Sequence, residues 1–224
     1  MATFATSRLN RLPVAERGIT IGDFLVPIRI GERISSRARH ATLVVLGAAF
    51  IALTAQFSIR LPDNPVPISG QTLGVLLVGG ALGFRRGGLA TLLYLLIAVI
   101  GVPAFAEGKA GLGVIASFRD GRLVLGATGG YLVGFFVASA IVGRLAELGW
   151  DRRLTGAVAA MAIGNVVIYI IGVPWLAASA GYSIGEAISK GLVPFLIGDA
   201  LKLLIAGGLF PLAWWAVGRR DGER

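Results

Sequence analysis

The sequence predicts an all-α fold, a polytopic membrane protein of six transmembrane helices with both termini in the cytoplasm. Three observations carry this expectation. Mean hydropathy is +0.79 over 224 residues, with 55% hydrophobic and 15% charged, where soluble domains carry about 25% charge. Apolar runs recur along the chain, and a helix needs about 20 such residues to satisfy its backbone across lipid. Lysine and arginine gather in the connections on one side of those runs. The same composition excludes other classes. Disorder requires low hydrophobicity and high charge. With no cysteine and His40 as the single histidine, disulfide scaffolds, thiol chemistry and multi-histidine zinc sites are excluded.

Residues 1–40 are polar and arginine-rich, with Pro13 and Pro27, and read as a cytoplasmic extension with a membrane-surface stretch at 19–30. No apolar h-region beside a small-residue cleavage site occurs there, so no signal peptide is expected. The spans follow at 41–59, 71–82, 87–102, 128–148, 154–173 and 193–217. They make one membrane domain, 41–218, followed by a short cytoplasmic tail, 219–224. The second span is short and ends in Gly83-Phe84-Arg85-Arg86. Of the 21 lysines and arginines, fifteen fall on the side of the termini, five on the other, and Lys202 within the last span. The positive-inside rule assigns the richer side to the cytoplasm, and a multi-pass protein of the inner (plasma) membrane is expected. An even span count agrees. The net charge of +9 is thereby read as topology, and no nucleic-acid partner is expected.

The loops at 60–70 and 103–127 are rich in proline and glycine yet carry Val66-Pro67-Ile68 and Pro103-Ala104-Phe105-Ala106. They read as lids over the bundle or as ordinary extracellular loops. No inverted repeat of the transporter kind is visible.

Polar groups within the spans each need a reason. A charge at mid-membrane costs about 2.5–3.5 kcal/mol, and Asp199 and Lys202, three apart, share a helix face. They either pin the bundle as an ion pair or bind something polar in a cavity. Asn165 and Tyr169, four apart, pose the same choice between interhelical glue and a site. Gln71 opens the second span and Tyr94 lies in the third. Gln56 reads as a headgroup-zone residue, and Trp214 and Trp215 as an interfacial belt. Ala48, Ala52 and Ala55 form a small-residue stripe that lets another helix approach, inside the bundle or from a partner subunit. No P-loop and no Ser/His/Asp set is present. No enzymatic activity, metal or cofactor is expected, and uphill transport must draw on an ion or a partner.

Several stretches together resemble a known family. They are Pro65-Val66-Pro67-Ile68 with Gln71-Thr72-Leu73-Gly74, then Gly83-Phe84-Arg85-Arg86-Gly87, then Thr128-Gly129-Gly130-Tyr131-Leu132-Val133-Gly134-Phe135, then Gly198-Asp199 with Lys202. In order and spacing, from about Ala41 to Gly218, they are similar to BioY, the biotin-specific substrate-binding (S) component of energy-coupling factor (ECF) transporters. The resemblance implies six helices with cytoplasmic termini and capture of extracellular biotin in a loop-capped pocket near the outer surface. It also implies a transmembrane coupling (T) subunit and two cytoplasmic ATPases as partners, although some members occur without dedicated ones. The family's alanine-rich first helix contacts the T subunit, which would make Ala48, Ala52 and Ala55 a docking face. In this class the S component is thought to topple in the membrane to deliver its substrate.

Biotin offers ureido N–H donors, a carbonyl acceptor, an apolar bicycle and a carboxylate. On this resemblance Asp199 accepts ureido N–H bonds, and Lys202, Asn165 and Gln71 complete the polar network. Tyr94, Tyr131 and Phe105 cover the bicycle, and Lys109, Arg119 or Arg122 meets the carboxylate. The alternatives are an autonomous proton-driven carrier of a small vitamin-like solute, with Asp199 as the proton site, and a purely structural membrane subunit. The chain departs from the family pattern at residues 1–40, at Ser69-Gly70, at Ala127 where proline is usual, and in an enlarged loop at 116–123.

Overall fold

The computed structural model describes residues 19–25, 35–119 and 121–222. Its elements run α1 (Gly22–Leu25), α2 (Ser36–Gln56), β1 (Ser58–Ile59), β2 (Ile68–Ser69), α3 (Gln71–Val99), β3 (Ala116–Arg119), β4 (Arg122–Leu125), α4 (Gly129–Glu147), α5 (Leu154–Ala180), α6 (Ile184–Gly191) and α7 (Leu196–Gly222). Among the described residues, five helical segments are long and apolar enough to cross a membrane: α2, α3, α4, α5 and the run Ile184–Val217.

The longest of these, α3, is folded back on itself. Gly83 stands at φ 83°, ψ 179° inside it, a conformation open to glycine and strained for other residues. In a straight helix Gln71 and Tyr94 would lie about 35 Å apart; here the Gln71 amide donates to the Tyr94 hydroxyl. Past the elbow the limbs nearly touch, and a Cβ on Gly87 would lie 2.8 Å from the Cα of Gly79. The two predicted spans 71–82 and 87–102 are thus the arms of one hairpin.

Packing follows the apolar faces. In α2 the buried residues are Leu43, Gly47, Ala48, Ile51 and Ala55, a helical stripe that lies against α3. Opposite them Leu46, Phe50 and Leu53 are exposed, as lipid-facing positions should be. The core continues through Tyr94, Val142, Met161, Ile168 and Leu176.

Several boundaries move for identifiable reasons. Helix α2 starts at Ser36, ahead of the expected 41, because Ser35 caps it by accepting from Ala38 N at 3.3 Å. Helix α5 runs through Pro174 to a left-handed cap at Gly181, where a stop at 173 was expected. The expected last span begins as a 3-10 turn, Val193–Phe195, before α7. The all-α expectation is corrected by two small antiparallel ribbons, β1–β2 and β3–β4; the second occupies the enlarged loop and turns at Gly121, φ 73°.

Part of the expected extension is packed on the bundle. Thr20 and Ile21 are buried at the α3 elbow. Arg86 grips Asp23 at 2.7 and 3.0 Å, and Arg39 adds a third contact at 3.5 Å. Burial pulls the Asp23 carboxyl upward, but the hydrogen bonds from Arg86 and Thr20 outweigh it and hold it below its ordinary value. Trp214 is no free interfacial ring: its indole N–H donates to Asp151 at 2.7 Å, Arg152 lies over its face and Phe24 meets it edge-on. Residues 1–18 and 26–34 and the tail's last two residues lie outside the described residues.

Candidate binding site

At the bundle end opposite the α3 elbow, α3, α4, α5, α7 and two loops enclose a cavity with about 610 Å3 free of protein atoms, its mouth included. The enclosed part of that space is about 50 Å3. Small-molecule sites are mostly apolar with a few fixed polar groups. This one follows that plan. Tyr131, Leu132 and Phe135 of α4, Ile168 and Tyr169 of α5, and Phe195 before α7 form the apolar wall. Tyr131 stacks on Phe195 at 6.5 Å and meets Tyr169 edge-on at 6.4 Å. Its hydroxyl donates to Gly191 O at 2.8 Å, which ties α4 to the end of α6.

The polar side of the cavity centres on Lys202. Its ammonium donates to Asp199 Oδ1 at 3.1 Å and to Thr72 Oγ1 at 2.8 Å. An ammonium carries three N–H donors and no acceptor, so one donor is left over on a side chain that lines the cavity. The other oxygen of Asp199 accepts the Tyr169 hydroxyl, which leaves the phenol oxygen's lone pairs as an acceptor. Asp199 itself is buried and borders a second groove, between α5 and α7, instead of the cavity. The carboxylate therefore holds the two groups that face the cavity, Lys202 and Tyr169, from one layer behind.

The loops form the cap. Val66 and Pro67, between the strands of the first ribbon, and Phe105, Ala106 and Lys109 line the cavity mouth. Asn64 Oδ1 accepts from Val66 N at 3.1 Å and shapes that turn. Gln56 extends from the end of α2 toward the carbonyls of Ala104 and Phe105, at 3.3 and 3.5 Å, and so anchors the second loop. Glu107 joins Arg60 and Lys109. The Arg60 guanidinium, with Lys109 beside it, holds the Glu107 carboxyl down at about 2. The turn before α4 needs no proline at Ala127: the Trp175 indole donates to Gly126 O at 2.9 Å and Gly129 N to the same oxygen at 3.1 Å.

The structure brings together most of the residues singled out from the sequence. Lys202, Gln71, Tyr131 and Phe105 line the cavity. Tyr94 stands behind them, accepting from the Gln71 amide and edge-on to Phe105 at 5.9 Å. Asn165 does not join them. It lines the α5/α7 groove together with Tyr169 and Asp199, and its Oδ1 is buried without a hydrogen-bond partner among the described residues. In the alanine stripe Ala48 and Ala55 are buried and Ala52 is half-buried, so much of it packs within the bundle. Of the three carboxylate candidates, Lys109 lines the cavity, Arg122 is exposed on the ribbon, and the Arg119 side chain lies outside the description. Thr72, Ser69 and Gln56 were not singled out as binding or capping groups. The adjacent polar pair Gln71-Thr72 opening an apolar helix is the signal that could have found Thr72.

Known proteins share this architecture. The family model for the BioY family matches residues 29–219, so the segment 19–25 packed at the elbow precedes the matched region. A biotin transporter BioY of Rhizobium etli is 36% identical over 170 residues, covering 73% of this chain and 88% of the relative. A probable biotin transporter BioY of Pyrococcus horikoshii is 34% identical, covering 76% and 93%. Among solved structures, the S-component for biotin from an ECF-type ABC transporter superposes with a TM-score of 0.70 at 23% identity, covering 80% of this chain and 92% of that one. That likeness bears on the fold. With a family match across nearly its whole helical region, this multi-pass membrane chain belongs to the BioY family.

Proposed function

We propose that the chain is a biotin-binding S component of an ECF transporter, taking up extracellular biotin and passing it across the plasma membrane. The observation that carries this reading is the spare N–H of Lys202, held by Asp199 and Thr72 and facing an aromatic cavity beneath two loops. The ureido oxygen of biotin accepts that N–H, a charge-assisted bond roughly twice as strong as a neutral one. A ureido N–H donates to the Tyr169 oxygen, whose own proton is directed to Asp199. Gln71 completes the polar side, and Tyr131, Phe105 and Phe195 cover the bicycle. The valerate carboxylate reaches the mouth, where Lys109 stands.

In this reading the α3 hairpin supplies two crossings, giving six in all. The connections at the elbow end, with both termini, lie in the cytoplasm, as the fifteen-to-five charge bias supports. The first forty residues form a cytoplasmic extension ahead of the membrane domain 41–218, and 219–224 a cytoplasmic tail. The absence of a nucleotide-binding motif leaves energy to partners, a membrane T subunit and cytoplasmic ABC-type ATPases, and the chain acts as a binding component without catalysis. A proton-driven carrier is the weaker reading, since both oxygens of Asp199 are already engaged.

Equilibrium binding of biotin, desthiobiotin and thiamine to the detergent-purified chain tests the substrate. Biotin should bind tightest, with desthiobiotin next because it keeps the ureido group. Tighter binding of thiamine would overturn the assignment.

A further inference from the structure

Between α2 and the second limb of α3, at the elbow end, lies a lateral groove with about 1430 Å3 free of protein atoms, its open side included. It has no part in the biotin cavity. Its wall is a leucine stripe on α3, Leu89, Leu92 and Leu96, at helical spacing and well exposed, with Leu89 at 53% and Leu96 at 52%. Its head is basic: Arg85, Arg86 and His40, with Asp23 and Glu147 alongside.

The acids at this head are already engaged. Asp23 is gripped by Arg86 and Arg39. Glu147 accepts from Phe84 N at 2.9 Å and pairs with Arg144 at 3.0 Å. Arg86 is equally committed, donating to Asp23, Thr20 and Leu82 O. Arg85 and His40 are exposed and have no such partner among the described residues. The groove thus presents an unengaged guanidinium and an imidazole above an apolar channel that opens sideways. Charge complementarity selects an anionic head, and the leucines select an apolar chain directly beneath it.

We infer that this groove binds an anionic phospholipid, its phosphate on Arg85 with His40 beside it and one acyl chain along Leu89, Leu92 and Leu96. The inference rests on the chain being embedded in a bilayer and not on the identity of the transported solute. Basic side chains near the bilayer surface attract anionic lipid, and the channel covers leucine surface that no protein segment covers among the described residues.

The test is native mass spectrometry of the delipidated full chain with phosphatidylglycerol or phosphatidylcholine of identical acyl chains. Phosphatidylglycerol should be retained about fivefold over phosphatidylcholine, as expected for one basic contact. Arg85→Gln should abolish that preference while biotin affinity stays unchanged. Arg153→Gln, exposed at the same end but outside the groove, should keep it. Free glycerol phosphate should not compete, since it lacks the chain that the leucines hold. Equal retention of the two lipids, a preference that survives Arg85→Gln, an equal loss in Arg153→Gln, or competition by glycerol phosphate would each overturn the inference. Loss of biotin binding in the unmodified chain would instead count against the proposed function and leave the lipid result readable.

Discussion

Asp23 with Arg86 and Asp199 with Lys202 are acid–base pairs at opposite ends of the same bundle, and they differ in what is left over. At the elbow, Arg86 spends its donors on both oxygens of Asp23, on Thr20 and on Leu82 O, and Thr20 and Ile21 fill the space beside it. At the other end, Lys202 uses two of its three donors among the described residues and lines the cavity. The first pair is a clamp; the second, in the proposed function, is a grip. An ion pair in a membrane bundle becomes a binding site when the geometry leaves a donor unspent and a cavity to spend it in.

The sharpest way to break this comparison is to disable the group that holds the grip. Asp199→Asn leaves Lys202 without its counter-charge and loosens both groups that face the cavity. Biotin affinity should fall on the order of a hundredfold, measured by equilibrium binding, while the protein still inserts; near-unchanged affinity would remove Asp199 from the site. The corresponding change at the clamp should show the opposite pattern. Asp23→Ala should lower thermal stability by about 2 kcal/mol, the loss expected when a partly buried guanidinium loses its partners, with biotin affinity within about twofold. Because the Asp23 carboxyl is held below its ordinary value, its stabilisation is present above the unfolded pKa and lost as pH falls through the folded one.

An effect of opposite pH dependence is expected at Asp151, between α4 and α5. Burial raises this carboxyl to about 6, although Trp214 donates to it and Arg152 lies near. Its stabilisation is full below the ordinary value of 3.8 and lost as pH rises through about 6. The wild type should therefore lose on the order of 2 kcal/mol relative to Asp151→Asn between pH 4 and 6, followed by thermal unfolding across that range. A flat difference would show that Asp151 is ionised throughout.

Local pattern made some of this readable and long-range contact hid the rest. Asp199 and Lys202 stood out because two charges three apart in an apolar run have few explanations. Their partners Thr72 and Tyr169 are 130 and 30 residues away in sequence, and no spacing rule reaches them. Helical spacing puts Asn165 and Tyr169 on one face, and both line the α5/α7 groove, but only Tyr169 also reaches the cavity, a distinction that spacing does not make. The alanine stripe was ambiguous for the same reason, since small residues admit a helix from inside or outside the bundle. The hairpin in α3 was half visible, as two short apolar runs around Gly83-Phe84-Arg85-Arg86; the backbone turn that makes them one element depends on φ at a single glycine. Gln56 looked like a residue at the membrane surface, and its hold on the loop at 104–105 appears only once the loop has folded over.

The central claim, that the unspent Lys202 donor grips the ligand, is tested most directly by calorimetric titration of biotin into Lys202→Met, which keeps the unbranched stem and removes the ammonium. Affinity is predicted to fall by at least about a hundredfold in a protein that remains folded by thermal unfolding. An affinity within about threefold of wild type in that folded variant would contradict the account.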